Sequence, residues 1–242
     1  MHRVRVAKEA VVAGRIRLRG AELRHLRDVL RLRAGARVEI FDGEGSSWIA
    51  EVAASSARAV ELSPIRPLAR RTESTLSLTL AVALARGAKL DWVIEKTTEL
   101  GVSRIVPFVS ERTVPERGGG ARLQRWRRIA DAAAAQSGRT VCPAIDDVRT
   151  FAEVLALRPG HERAVFFWEE EASAAPCERD PATRSALLVT GAEGGFSAAE
   201  SSAAREAGFT LAGLGPRILR AETAAVVAAA LAQLLWGDLA AC

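Results

Sequence analysis

The chain has 242 residues, a net charge of +5 and a 49% hydrophobic composition, so it can bury a sizeable core without disulfides. No apolar run reaches the ~18 residues of a membrane-spanning helix, and residues 1–6 carry no apolar signal segment, so we expect neither a membrane protein nor a secreted one. The three cysteines form no Cys-x-x-Cys pair, which disfavours a zinc site and a disulfide framework and suits the reducing cytoplasm.

Residues 1–70 are predicted to form a small, basic β-barrel. Strand patterns occur at residues 11–12, 15–18, 37–41 and 47–52, with a hairpin turn at 42–45 and one helix at 21–30. This part holds 14 Lys and Arg against 8 Asp and Glu, whereas residues 71–242 hold 20 against 21. Because the excess positive charge is confined to the first part, we expect that part to bind a polyanion.

A segment rich in proline and arginine, residues 64–72, is the predicted linker. After it, strands are predicted at residues 76–82, 104–109, 164–168, 185–190 and 210–212, and helices at residues 89–100, 122–136, 150–157, 198–207 and 222–236. Strands that alternate with helices indicate a mostly parallel sheet covered on both faces.

Ligands of such sheets bind at the carboxyl ends of the strands, so the loops after Trp168, Thr190 and Ala212 are the candidate binding loops. The loop after Thr190, residues 191–197, reads Gly-Ala-Glu-Gly-Gly-Phe-Ser; its glycines let a ligand approach the backbone closely, and its serine predicts a capping box with Glu200. Neither a dinucleotide fingerprint nor a P-loop is present. Taken alone, the loop fits a nucleotide site and a plain tight turn.

The loop after Ala212 carries two arginines, Arg217 and Arg220, on either side of an apolar pair. Surface charge and ligand contact are both open for these arginines, and the Gly-Pro that precedes them favours contact. Glu222 follows at the predicted helix start, where an acid also complements the helix dipole.

Together the two loops closely resemble the signature of the bacterial 16S ribosomal RNA uridine-N3 methyltransferases, which belong to the SPOUT class. Matching segments precede them in the same order, at residues 25–31, 41–43, 95–112, 125–129 and 136–139. One departure is Ala192, where the family usually has proline. The resemblance implies an α/β protein: a PUA-like β-barrel, residues 1–70, followed by a SPOUT domain, residues 73–242, whose parallel sheet contains a trefoil knot.

The same resemblance implies S-adenosyl-L-methionine as cofactor, no metal, and a cytoplasmic homodimer that acts on 16S ribosomal RNA or the small ribosomal subunit. The last helix, residues 223–236, is either part of the dimer interface or simple core packing. The residues that the resemblance assigns to cofactor binding are Phe167, Trp168, Glu169, Thr190, Gly191, Glu193, Gly194, Gly195, Leu214, Gly215, Ile218, Leu219, Arg220 and Thr223.

The implied reaction is methyl transfer to N3 of uracil. As N3 loses its proton, negative charge spreads onto O2 and O4, where a guanidinium can stabilise it. Arg220 is the first candidate for this role and Arg217 the second, while Glu222 either accepts a proton or fixes Arg220.

Contacts with RNA are expected from Arg24, His25, Arg27, Arg31, Arg33, Arg112 and Arg139. For His25, local packing is an equally open interpretation. Two alternatives to the main reading also remain: a SPOUT methyltransferase that acts on another RNA, and an RNA-binding module without catalytic activity.

Overall fold

The computed structural model describes residues 2–14, 16–18, 33–56, 58–84, 87–113, 120–171 and 178–239. The chain divides into two compact units, Met1–Glu73 with Ala134–Cys142 and Ser74–Ala133 with Pro143–Cys242. Residues 134–142 therefore group with the first unit, although the sequence places them inside the second predicted domain. None of the helices that the structure describes is long and apolar enough to cross a membrane.

The first unit contains a five-stranded sheet in the order β1-β3-β4-β5-β2, counted over the described residues. Its elements are β1 (Arg3–Arg5), α1 (Lys8–Val12), β2 (Ile16–Leu18), β3 (Arg37–Phe41), β4 (Ser47–Ser55) and β5 (Val60–Pro67). β1 and β3 are parallel, and the other neighbours are antiparallel. The strand-rich character that the sequence predicts for this part is confirmed.

Two local predictions for this unit are wrong. Residues 11–12 end the short helix α1; they follow Lys8, Glu9 and Ala10, which are better helix formers, and Val12 is 84% exposed instead of packed in a sheet. The predicted linker starts inside β5, where Pro64 lies opposite a register shift in β4 that tolerates a residue without an N–H group. The predicted helix at residues 21–30 lies outside the described residues.

A fully buried carboxylate, Glu39, pairs with Arg3 near the start of residues 1–73 and with Arg70 near their end. Arg3 Nε lies 3.0 Å from Glu39 Oε1, and Arg70 Nε donates to the same oxygen at 3.1 Å. Burial acts to raise the pKa of Glu39, but the hydrogen bond from Arg70 and the charge of Arg3 outweigh it, and the pKa is lowered. Glu39 is therefore an ionised carboxylate that is paired with two arginines of its own unit.

The second unit is built on seven described strands, all parallel, in the order β12-β10-β11-β6-β7-β8, with β9 also paired to β7. The strands are β6 (Ser77–Ala83), β7 (Arg104–Val109), β8 (Ala144–Ile145), β9 (Arg149–Thr150), β10 (Arg163–Phe167), β11 (Ser185–Thr190) and β12 (Thr210–Ala212). The helices are α2 (Lys89–Glu99), α3 (Gly120–Ser137), α4 (Phe151–Leu155), α5 (Ala198–Glu206) and α6 (Ala221–Leu235). The predicted parallel sheet is confirmed.

Side chains that alternate along β6 build two separate hydrophobic clusters. Leu78, Leu80 and Val82 pack in one cluster with residues of α2, α3 and α6. Ala81 and Ala83 pack in the other cluster with residues of α4 and α5. Since successive strand residues face opposite sides of a sheet, the helices cover both faces and leave the strand ends open for loops.

Candidate active site

Three neighbouring strands of the second unit end at the same level. Phe167, the last residue of β10, pairs with Thr190 at the end of β11 and with Ala212 at the end of β12. The loops that follow, residues 168–171, 191–197 and 213–220, therefore leave the sheet side by side. These are the three loops that the sequence predicts as binding loops.

The loops surround a cavity of about 810 Å³. The predicted site residues that line it are Phe167, Trp168, Glu169, Thr190, Gly191, Glu193, Gly195, Leu214, Gly215, Arg217, Ile218, Leu219 and Arg220. Lys89, Glu170, Glu171, Ala192, Gly213, Pro216, Ala221 and Ala224 line it as well. The structure thus gathers into one cavity most of the residues assigned to cofactor and catalysis.

Three predicted residues lie next to the cavity without lining it. Gly194 is exposed, and its carbonyl oxygen accepts a hydrogen bond of 2.8 Å from the Arg112 guanidinium. Glu222 and Thr223 belong to the first turn of α6. Arg112, predicted to contact RNA, therefore supports the loop at residues 191–197 in this structure.

At two places in the central loop, a side chain larger than that of glycine would force a neighbouring side chain to move. Gly195 has a φ of +65°, and a Cβ there would lie 1.7 Å from Glu169 Oε1; a Cβ on Gly191 would lie 3.1 Å from the Phe196 ring. The amide of Gly195 donates to the carbonyl of Ala192 at 3.0 Å, which closes a turn. That hydrogen bond holds the loop backbone at Ala192, the position where proline is expected from the family resemblance.

Two polar atoms in the cavity wall have no hydrogen-bond partner among the described residues: Thr190 Oγ1 and Trp168 Nε1. Buried polar groups in folded proteins are nearly always hydrogen-bonded, to protein or to another molecule. Together with the exposed backbone of the glycine loop, these two atoms fit a small ligand that carries both polar and apolar groups.

The cavity edge also carries both signs of charge. Lys89 donates a 2.8 Å hydrogen bond to Glu193 and lies 3.8 Å from Glu222 Oε2. The hydrogen bond to Glu193 is the main cause that raises the pKa of Lys89. Arg217 and Arg220 are exposed, and over the described residues the structure pairs neither of them with a carboxylate.

The predicted RNA contacts of the first unit fall into three groups. Arg33 is exposed in the turn before β3. Arg139 is only 4% exposed, and its Nε donates to Glu73 at 3.0 Å, so its guanidinium is held inside the unit. The remaining predicted contacts, which are outside the described residues, are Arg24, His25, Arg27 and Arg31.

Lys89 is the functional candidate that the sequence analysis missed. It opens α2, the helix that follows β6, and β6 is the neighbour of β11 in the sheet. The rule that places ligands at the carboxyl ends of parallel strands therefore also applies to this helix start. No group of three or more His, Cys, Asp or Glu suited to a metal occurs in the part of the chain that the structure covers.

A parallel sheet whose glycine-rich loops surround a deep cavity defines an α/β enzyme that binds a small molecule at the carboxyl edge of its sheet. The family described as RNA methyltransferase domain matches residues 72–233, and the family described as RNA methyltransferase PUA domain matches residues 18–65. The chain therefore belongs to the RNA methyltransferase family, as its sequence motifs predict.

Relatives of known name cover nearly the whole chain. The ribosomal RNA small subunit methyltransferase E of Bacillus subtilis is 32% identical over 233 residues, 90% of this chain and 91% of that protein. The enzyme of the same name from Synechocystis is 32% identical over 95% of this chain and 76% of its own. A crystal structure of ribosomal RNA small subunit methyltransferase E from Neisseria gonorrhoeae, bound to S-adenosyl methionine, matches with a TM-score of 0.91 and 32% identity over 99% of each chain.

These matches confirm the predicted fold class, an α/β domain with a parallel sheet preceded by a PUA-like domain. RNA as the class of substrate also follows from the family. The trefoil knot that the resemblance implies stays a prediction.

Proposed function

We propose that this protein transfers a methyl group from S-adenosyl-L-methionine to N3 of a uridine in the 16S RNA of the small ribosomal subunit. The observation that carries the proposal is the cavity between the three strand-end loops, in a chain that matches the S-adenosyl methionine-bound Neisseria structure over 99% of its length. The residue roles below rest on this cavity and on the family signature.

The cofactor would be held mainly by the backbone of the three loops. The hydroxyl of Thr190 and the indole N–H of Trp168 are available to it, and Gly191 and Gly195 leave room for close approach. When bound, S-adenosylmethionine supplies a methyl group on a positively charged sulfur. Glu169 and Glu170 are exposed on the loop after β10, and their negative charge favours a cationic ligand.

Arg220 is the residue we assign to the reacting base. It directly precedes α6 at the cavity edge, is exposed, and keeps its guanidinium clear of carboxylates in the described structure. It would stabilise the charge on uracil O2 or O4 as N3 loses its proton, with Arg217 as the second candidate. Glu222 is only 16% exposed and faces Lys89, which favours a positioning role over proton acceptance.

Residues 1–70 would form the RNA-binding domain, where Arg24, Arg27, Arg31 and the exposed Arg33 supply contacts to phosphates. His25 is a candidate for a further RNA contact, with local packing as the alternative. For Arg112 and Arg139 the hydrogen bonds to Gly194 and Glu73 favour structural roles over RNA contact. Because RNA of the small ribosomal subunit is the proposed substrate, we place the enzyme in the cytoplasm.

A homodimer is part of the proposal. Val227 and Leu234 of α6 are 39% and 48% exposed and lie seven residues apart, so they share one helix face. An apolar face of this kind suits contact with a second copy of the chain. Sedimentation of the purified protein would test the dimer, and a Val227→Glu substitution should then yield monomers.

The function is tested by incubating the purified protein with S-adenosylmethionine and small subunits that lack the modification, followed by nucleoside mass spectrometry. We expect 3-methyluridine. A methylated nucleoside of another kind, or methylation of another RNA only, would favour a different RNA methyltransferase. Absence of S-adenosylmethionine binding in calorimetry would favour an RNA-binding module without catalytic activity.

A further inference from the structure

One ammonium group at the cavity edge contacts two carboxylates from different elements. Lys89 of α2 donates to Glu193, on the loop after β11, and lies 3.8 Å from Glu222, in the first turn of α6. We propose that Lys89 is a positioning residue, which holds these two carboxylates and thereby keeps the Arg220 guanidinium free to face the substrate. This inference rests on the proposed function.

The place of Lys89 in its own helix does not explain its charge. Lys89 is the first residue of α2, and the positive end of the helix dipole makes a cation unfavourable there. An acid in the same turn, Asp91, complements the dipole. The ammonium of Lys89 is therefore placed by its contacts across the cavity edge and not by the needs of the helix.

Among the described residues, the charges that shift the pKa of Lys89 belong to the cavity lining or to the first turn of α6. The hydrogen bond to Glu193 raises the pKa of Lys89, the charge of Glu222 raises it further, and the nearby positive charge of Arg220 lowers it. The pKa is raised on balance, so the ammonium stays protonated beside both acids. Arg220, which precedes Glu222 by two residues in the chain, is thus close enough for its charge to lower the pKa of Lys89.

Removal of the Lys89 charge would leave Glu222 without the cation that lies 3.8 Å from it in the described structure, next to the exposed guanidinium of Arg220. Arginine binds carboxylates readily because its planar N–H fork matches their two oxygens. Arg220 would then pair with Glu222 or Glu193 and would no longer point at a bound uracil. The expected consequence is slower chemistry, with the cofactor cradle intact.

The test compares Lys89→Met with Lys89→Arg and with the matched control Lys96→Met. Lys96 lies on the same helix, is as exposed as Lys89 (33% against 35%), and pairs with Glu95 and Glu99 outside the cavity lining. We expect Lys89→Met to lower kcat by about 100-fold, the size of effect that a misplaced reactive group produces. Its affinity for S-adenosylmethionine and its melting temperature should stay at the wild-type values, Lys89→Arg should recover most of the activity, and Lys96→Met should behave as wild type.

A double-mutant cycle tests whether Lys89 acts through Arg220. In an Arg220→Ala background the Lys89→Met change should cause no further loss of kcat, because the group that it positions is already absent. Losses that multiply instead would overturn the inference. So would a Lys89→Met variant with normal kcat at saturating S-adenosylmethionine and a weakened affinity for it, since Lys89 would then act through the cofactor loop.

Two outcomes distinguish a wrong enzymatic function from a wrong role of Lys89. If the wild-type protein forms no 3-methyluridine, the proposed function is wrong and this inference falls with it. If the wild type is active and Lys89→Met retains full activity, the proposed function stands and only the role of Lys89 is wrong.

Discussion

Two carboxylates, one in each unit, are placed in contrasting surroundings. Glu39 of the first unit is fully buried and accepts from Arg70, with Arg3 at 3.0 Å. Glu222 of the second unit is partly buried, yet its Oε2 has no hydrogen-bond partner among the described residues, and its nearest cation, Lys89, is 3.8 Å away. The first acid is paired at close range by two arginines, whereas the second is held by one longer ion pair with Lys89 among the described residues.

The arginines follow the same division. Arg3 of the first unit donates to the carbonyls of Ala134 and Arg139 and forms an ion pair with Glu39. Arg139 donates to Glu73. Arg217 and Arg220 of the second unit are exposed at the cavity edge. Charges that are paired within the fold stabilise it, whereas charges held in place without full pairing mark where a ligand binds. Substitutions of the paired charges of the first unit should therefore lower the free energy of unfolding, whereas substitutions at the cavity edge should lower activity.

The largest effect is expected for Arg220→Ala. Loss of a group that stabilises charge in the transition state lowers kcat by about 100- to 1,000-fold. Steady-state methylation of small subunits at saturating S-adenosylmethionine measures this loss, and calorimetry measures the affinity for the cofactor separately. Arg184→Ala, an exposed arginine that donates to the carbonyl of Pro181, is the control and should keep full activity. Full activity of Arg220→Ala would refute the assigned role.

Glu39→Ala should affect stability instead. It leaves the buried guanidinium of Arg3 without its carboxylate, and breaking a buried ion pair costs about 3–5 kcal/mol of unfolding free energy. Urea denaturation measures the loss. Glu61→Ala removes a solvent-exposed pair with Arg17 in the same unit and should cost less than about 1 kcal/mol. Equal losses in the two variants would contradict the contrast between saturated and exposed charges.

Gly195→Ala should weaken the binding of S-adenosylmethionine about tenfold, or ~1.4 kcal/mol, because a Cβ there would displace the Glu169 carboxylate in the cavity lining. The left-handed backbone costs an alanine ~1–2 kcal/mol of stability in the free and the bound protein alike. Gly35→Ala is the matched control: its φ is +85° and nothing lies within 4 Å of a Cβ there. Both variants should lose similar stability in thermal melts. Calorimetry should detect weaker binding only for Gly195→Ala, and equal affinities would argue against the cradle.

The smallest effect concerns acid stability. Folding lowers the pKa of Glu39 below its ordinary value of 4.5, so its contribution to stability is present above that value and is lost as the pH falls through the lower pKa of the folded protein. The unfolding free energy of the wild type should decline over this window. In Glu39→Gln the unfolding free energy should decline less steeply with falling pH. Melts recorded from about pH 6 downward, over roughly a few pH units, measure the two slopes. An unchanged slope would mean that Glu39 is not charged in the folded state.

Local signals in the sequence predict the elements of the second unit well. The bounds of β7, β11 and β12 agree with the predicted ones, and Ser197 with Glu200 forms the predicted capping box. Gly101, which directly follows the helix predicted at residues 89–100, has a φ of +82°, the conformation common after a helix C-terminus. Each of these features depends on residues within one turn or strand, which a sequence displays directly.

Features that depend on distant partners escaped prediction. Lys89 meets Glu193 across 104 positions of sequence, and Arg139 meets Glu73 across 66, so neither pairing leaves a local pattern. The two-residue strands β8 and β9 are too short for a period to be recognised. The position of the cavity was predictable because the ends of parallel strands share one edge, while the pairing of charges around it was not.

The central claim is that this protein methylates N3 of a uridine in small-subunit RNA with Arg220 at the reacting base. Nucleoside mass spectrometry of small-subunit RNA from cells that lack the protein tests it most directly. The account predicts that 3-methyluridine is missing from this RNA, that the wild-type gene restores it, and that the Arg220→Ala gene does not. An unchanged level of 3-methyluridine in cells that lack the protein would contradict the claim.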